Sequence, residues 1–361
     1  MDGAREPVLA ALENIDGCLL KYYGCQMSLI GGPSFPAQRD DIARLLTNAI
    51  GIAAESEAFQ RWKYWDSHPL FPNSRSYVLL EGEIMVAHGC CWPIRLQGSF
   101  GELSAMHLID WAAKRNFPGA GMRVLRLCQQ DVDAVFSIGG SEMTRRILPV
   151  FGFKSCNSIY FLYRPLRPIS PALRNSPGDW KMPARIVRNL GRYIFPRVSL
   201  PPGWSVSRTE PHKIPEFLFP RPLADEAVSK RNAELLTHMM NCPVVQDANC
   251  YVLRQRNVAK AYFCLIIIRD QARLVDFGPT GLDEQTATAL GLAAQNVARS
   301  DFKRVLDICV ATTEQPVREG LVRSGFRMGT EERIKVFKVN SALQETARFR
   351  LTLLDWDAAV L

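Results

Sequence analysis

Three side chains able to take or give a proton fall in one region of the chain: His107, Asp110 and Glu142. His107 and Asp110 lie in an apolar stretch that reads as a buried strand, where a charged carboxylate must be either paired or functional. On a regular strand, positions 107 and 110 point to opposite faces, so the two can serve one site only if a bulge intervenes. Glu142 follows Gly139-Gly140-Ser141 at the start of an apolar-periodic segment. It could act as a base at a strand edge, or it could simply stabilise a helix N-terminus that Ser141 caps. His107 has an equally plain alternative as a satisfied core histidine. Between these groups runs Lys114-Arg115-Asn116-Phe117-Pro118-Gly119-Ala120-Gly121-Met122-Arg123. A glycine-containing turn there exposes backbone amides, and the helix that follows adds a dipole favourable to anions.

The elements that must position these groups follow from periodicity. The first half predicts helices near 8–21 and 38–50, then strands near 75–81, 84–95 and 104–113. A helix near 120–130, a strand at 133–138, a helix at 141–151 and a strand at 156–164 complete it. The second half predicts strands near 250–255, 258–268 and 272–277, a helix at 283–299, a strand at 304–310, a helix at 314–324 and a strand at 333–339. Strands followed by strand-helix-strand-helix-strand make an α/β layer pattern (α+β, with a mixed sheet).

The two halves repeat each other. Tyr77-Val78-Leu79 returns as Tyr251-Val252-Leu253, Ala87 and Cys90 as Ala261 and Cys264, and Asp110 as Asp276. Leu148 to Phe153 is answered by Leu321 to Phe326. The common order argues for duplication. The expected organisation is 1–165, a linker at 166–203, a second unit at 204–340 and a tail at 341–361. Because Asp276 repeats Asp110 in a half whose loop has lost its basic residues, a structural role for both is a serious alternative.

The linker and the residues that flank it carry the whole net charge. From Arg164 to Arg208 there are nine Lys or Arg and one acid, giving +8, and the chain as a whole is also +8. Eight of the 23 prolines fall in the same region, which breaks regular structure. Within it, Lys181, Arg185, Arg188 and Arg192 share one helical side, while Ile186, Leu190 and Ile194 share another. Such a helix could lie on an anionic membrane surface, or its apolar stripe could pack on a neighbouring domain.

Composition excludes several classes. At 361 residues, 47% hydrophobic and 22% charged, the chain has core material for two domains. The apolar run Ala261 to Ile268 is far short of the ~20 residues of a membrane span, and the N-terminus lacks the pattern of a signal peptide. A cytoplasmic location is therefore expected, peripheral at the inner membrane face where the basic helix meets lipid. Ten scattered cysteines without CxxC spacing argue for reduced thiols and against a structural metal. A net positive charge confined to one segment, with the rest of the chain neutral, does not make a nucleic-acid-binding face.

The order of elements, with Gly119-Ala120-Gly121 after a central strand and Gly152-Phe153 closing the next helix, resembles the GNAT acyltransferase superfamily. Trp62-Lys63-Tyr64-Trp65-Asp66 and Tyr163-Arg164-Pro165-Leu166 are similar to stretches in bacterial tandem members that modify surface polymers or lipids. The resemblance implies two tandem GNAT-like domains, with acyl-CoA as co-substrate and no metal. Its pyrophosphate would be held by Lys114, Arg115, Gly119, Ala120, Gly121, Met122 and Arg123. Pro118 and Arg123 depart from the family's Arg/Gln-x-x-Gly-x-Gly/Ala pattern. It further implies transfer to a primary amine, with Glu142, His107 or Asp110 as general base. The tyrosine that many members use to protonate the thiolate has no match in 141–151, which leaves Tyr160 and Tyr163 as substitutes. The basic linker favours a long-chain lipid amine, such as a sphingoid base, as acceptor. An amino sugar of a surface polysaccharide precursor and a non-catalytic acyl-CoA or lipid-binding module are the alternatives.

Overall fold

The computed structural model describes residues 29–51, 55–167, 199–302, 304–338, 340, 343 and 348–361. The expected helix at 8–21 and the basic stripe of Lys181, Arg185, Arg188 and Arg192 lie outside these residues.

The first half comprises β1 (Leu29–Pro33), α1 (Arg39–Ile50), α2 (Glu57–Tyr64), β2 (Ser76–Glu81), β3 (Ile84–Gly98) and β4 (Gly101–Ala113). These are followed by α3 (Ala120–Gln129), β5 (Ala134–Ser137), α4 (Glu142–Val150) and β6 (Lys154–Pro165). The second contains β7 (Trp204–Thr209), β8 (Glu226–Ser229), α5 (Ala233–Met240), β9 (Asp247–Gln255), β10 (Val258–Ile268) and β11 (Gln271–Gly278). It continues through α6 (Glu284–Ser300), β12 (Asp307–Thr312), α7 (Gln315–Arg323), β13 (Arg327–Lys338) and β14 (Arg348–Arg350).

The strands form one mixed sheet in the order β1-β2-β3-β4-β5-β13-β6-β12-β11-β10-β9-β7, with β8 joining β3 and β14. Among the described residues, the parallel pairs in that path are β4 with β5 and β11 with β12, one in each half. The boundaries read from sequence fall at the end of β6 and the start of β7, but the sheet does not part there. The last strands of the halves have changed places: β13 lies between β5 and β6, and β6 lies between β13 and β12.

Burial follows the sheet's two faces. Helix α1 turns Ile42, Leu45 and Leu46 inward at helical spacing, and α2 contributes Phe59, Trp62 and Tyr64. With α5 and the segment 349–360 they cover one face across both halves, in a single core. On the other face α3 and α4 cover the first half, and α6 and α7 the second. Residues 348–361, part of the expected tail, are thus core material. Leu351, Leu353 and Leu354 are buried, and the Trp92 indole donates to the Leu354 carbonyl at 3.1 Å. Among the described residues no helix is long and apolar enough to cross a membrane.

Candidate functional site

Strands β4 and β5 pair only over Ala105–His107 and Ala134–Phe136, and then separate. Each strand has a local reason to turn away. In β4 the register against β3 shifts between His88 and Cys90, so Asp110 and Trp111 form a bulge. Asp110 has φ +47°, in the left-handed region that few non-glycine residues adopt. After β5, Gly139 and Gly140 have φ +74° and +89°, which only glycine takes without strain, and they carry the chain out of the sheet.

The bulge puts His107 and Asp110 on the same face, against the expectation for a regular strand. His107 meets the Trp356 ring at 5.5 Å, and Asp110 meets Tyr64, within one core. Asp110 is held from several sides. Its Oδ2 pairs with Lys63 Nζ at 2.7 Å and accepts from Tyr64 Oη at 2.7 Å. Its carbonyl accepts from His88 Nδ1 at 2.9 Å. A relay fixes that imidazole: Trp65 Nε1 donates to Ser34 Oγ, Ser34 to Ser76, and Ser76 to His88 Nε2. These partners hold the strained Asp110 backbone in place.

Electrostatics separates the candidates. Burial works against the Asp110 carboxylate, but Lys63 and the two hydrogen bonds outweigh it and keep its pKa below the ordinary value. Lys63, fully buried, is likewise held charged by Asp110 and Glu55, the latter 3.1 Å away. A tightly paired carboxylate of this kind is a weak base. Burial pushes His107 down to about 3, so the ring is neutral, and its Nε2 accepts the Ile138 amide at 3.0 Å. With that lone pair engaged, the proton is on Nδ1, and His107 has no free position at which to act as a base. Glu142 is not brought to this centre. It stands 79% exposed, paired with Arg146, at the N-terminus of α4, where the Ser141 hydroxyl accepts the Thr144 amide. Tyr160 lies under the Arg318 guanidinium, and Tyr163 is largely exposed.

One group near this centre was not among the candidates from sequence. Asp357 is buried, forms no ion pair among the described residues, and faces Lys63, Asp110 and Glu55. Burial first, then the neighbouring carboxylates, push its pKa up to about 7 despite Lys63. The signal lay in Leu351-Thr352-Leu353-Leu354-Asp355-Trp356-Asp357, too apolar for a solvated tail.

The loop after β4 ends beside this site. Gly119 (φ +82°) caps α3 in the left-handed conformation. The Met122 and Arg123 amides return to the Gly119 carbonyl, and the Ala120 amide to Phe117. Among the described residues, the amides of Arg115, Asn116, Gly119 and Gly121 have no backbone acceptor, which suits an anion. The Gly121 carbonyl accepts Trp111 Nε1 at 2.7 Å, tying α3 to the strand, while Ala120 is buried. Arg123 reaches away to the Leu29 carbonyl, and Met122 packs on the core beneath. Lys114 and Arg115 instead line a cavity of about 450 Å³ with Asp41, Arg44, Asn48 and Glu83.

The second half repeats this framework with its charges fully consumed. Arg231 pairs with Asp276 at 2.9 Å and Asp355 at 2.8 Å, and Thr352 and Tyr262 donate to Asp276. Asp283 accepts the Thr286 amide at 2.6 Å and caps α6, so a carboxylate sits where the first half has open amides. Asp276 is therefore structural.

No family model matches the sequence, and no curated protein is similar to it in sequence. Solved structures do match in fold. A probable N-acyltransferase of Enterococcus faecalis is 13% identical, with 88% of this chain and 74% of that one covered at a TM-score of 0.53. A GCN5-related N-acetyltransferase of Kribbella flavida is 11% identical, with coverages of 89% and 74% at 0.55. The N-myristoyltransferase of Saccharomyces cerevisiae, solved with myristoyl-CoA, is 12% identical, with 87% and 81% at 0.53. At these identities the likeness is one of fold: the chain has the α/β fold of GCN5-related N-acetyltransferases.

Proposed function

We propose that the protein is an N-acyltransferase that moves an acyl group from a CoA thioester to a primary amine. The observation that carries this reading is the opening between β4 and β5, flanked by a loop with unpaired amides and by a buried carboxyl poised near neutrality. The loop 115–121, with Lys114 and Arg115 beside it, would take the pyrophosphate, and the opening would take the thioester. Asp357 is the base in this reading, because a group with a pKa near 7 is present in quantity as both acceptor and donor of a proton at neutral pH. Asp110 and Lys63, as a neutral ion pair, hold the bulge in shape.

For the acceptor we propose a long-chain lipid amine of the sphingoid type, presented at an anionic membrane surface by the basic linker. The polar cavity lined by Asp41, Arg44, Asn48 and Glu83 supports a second reading, an amino sugar with several hydrogen-bonding groups. Thiol release from a series of acyl-CoA chain lengths, with sphingoid bases and amino sugars as acceptors, tests both. Release with a sphingoid base alone supports the lipid reading, and release with sugars alone replaces it. CoA binding without turnover on any amine makes the chain a binding module.

A further inference from the structure

His107 is the last residue of β4 paired with β5, so its ring stands where the two strands part. The amide just past the end of β5, that of Ile138, has no strand partner, and His107 Nε2 accepts it. This bond fixes the tautomer, because an imidazole nitrogen that accepts cannot carry the proton, so the N–H is Nδ1. Nδ1 is buried and has no hydrogen-bond partner among the described residues. A buried, unsatisfied donor costs on the order of 1–3 kcal/mol, so its persistence calls for an explanation.

Its surroundings supply one. The ring of Trp356 lies against His107 at 5.5 Å and against Phe161 at 5.2 Å. Just past β5, a Cβ built on Gly139 would meet only that indole, at 3.8 Å. One partly exposed side chain therefore lies against both His107, which carries the unused donor, and Gly139, where the two strands part.

Resting on the N-acyltransferase reading, we infer that His107 is a catalytic hydrogen-bond donor and not a base: its Nδ1–H receives the thioester carbonyl oxygen once the substrate has displaced the Trp356 indole. The ammonium first gives one proton to water; in the addition step the neutral amine nitrogen then bonds to the carbonyl carbon with its lone pair, and the π pair moves to the oxygen facing Nδ1–H. The proton from the nitrogen goes to the Asp357 carboxylate. In the collapse the pair returns, the C–S bond breaks, and the thiolate leaves with its electrons. His107 neither gains nor loses a proton. A neutral imidazole suits this work because it polarises a carbonyl without the repulsion an imidazolium would exert on an incoming ammonium.

The test uses acyl-CoA labelled with ¹³C at the thioester carbonyl, bound to the full chain and read by difference infrared spectroscopy. In the wild type the carbonyl band is expected at lower wavenumber than in water. His107→Gln retains an amide oxygen for the Ile138 N–H and loses the donor at the Nδ1 position. Its acyl-CoA affinity should fall only severalfold, its band should return toward the solution position, and kcat should fall by on the order of 10²-fold. His107→Phe, which also strips Ile138 of its acceptor, should show the same band and a lower melting temperature, separating the structural bond from the catalytic one. Equal band positions in wild type and His107→Gln, at equal affinity, overturn the role of His107 and leave the acyltransferase reading standing. Failure of the wild type to bind any acyl-CoA overturns that reading, and this inference with it.

Discussion

Asp357 and the Lys63–Asp110 pair make opposite demands on pH and mutation. For Asp357 the folded-state pKa lies above the ordinary carboxylate value, so the fold favours its protonated form. The associated stability is complete below about pH 4 and is lost as pH rises through 7. Asp357→Asn should therefore melt like the wild type at pH 4 and be more stable at pH 8, by roughly 4 kcal/mol at most. The same variant should lose about 10²- to 10⁴-fold in kcat at neutral pH. Thermal melts and rates across this range check both, and a variant that is active and pH-sensitive would remove Asp357 from the mechanism. Asp110, with its depressed pKa, contributes stability that is present at neutral pH and is lost on acidification. Lys63→Met leaves Asp110 buried without its cation and should cost about 3–5 kcal/mol, whereas Lys63→Met with Asp110→Asn should recover much of that. A denaturant double-mutant cycle measures the coupling.

Among the elements, the loop entering α3 is where conformation and ligand binding are inseparable. Gly121→Val would place branched carbons over the Trp111 ring and in the path of an approaching phosphate. Calorimetry should show weaker acyl-CoA binding with an intact melt. Most regular elements were legible in the sequence for simple reasons. The apolar run of β10, the Ala-rich α6 and the i, i+3, i+4 spacing of α1 each state their period within a few residues. The glycine turn at 119 was legible because its chemistry is local. What was not legible depends on residues far apart. The bulge at Asp110 is imposed by Lys63 and Tyr64 from α2 and His88 from β3, so a reading of the strand alone placed His107 and Asp110 on opposite faces. Asp357 gave only a composition signal, because its meaning comes from Lys63, at the opposite end of the described chain. The exchange of β6 and β13 was invisible because each strand satisfies the same alternating pattern in either place.

For the chain as a whole, charge and topology lead to different expectations. If the net charge of residues 164–208 attracts anionic lipid, each basic residue contributes about 1 kcal/mol, screened over roughly 8–10 Å. Wild type should sediment with anionic vesicles at low salt and be released at high salt, and changing Lys181, Arg185, Arg188 and Arg192 to Gln should abolish the effect. Wild type remaining in the supernatant on anionic vesicles at low salt would favour the amino-sugar acceptor. Topology predicts that residues 1–165 expressed alone will not fold, because β6 lacks β12 and β13, and β5 lacks β13. Circular dichroism and proteolysis of that fragment, alone and mixed with 204–361, would show it.

The traded strands also set a schedule for synthesis. Ser158 in β6 bonds Glu331 in β13, its neighbour in space but 173 positions later in the chain. At a ribosome adding roughly 5–20 residues per second, β6 waits on the order of ten to thirty seconds for that partner. Throughout that interval β5 and β6 each present an open edge with which another chain could pair. A ribosome that stops anywhere before β13 leaves both halves unfinished. Completion of either half of the sheet therefore waits on the synthesis of β13.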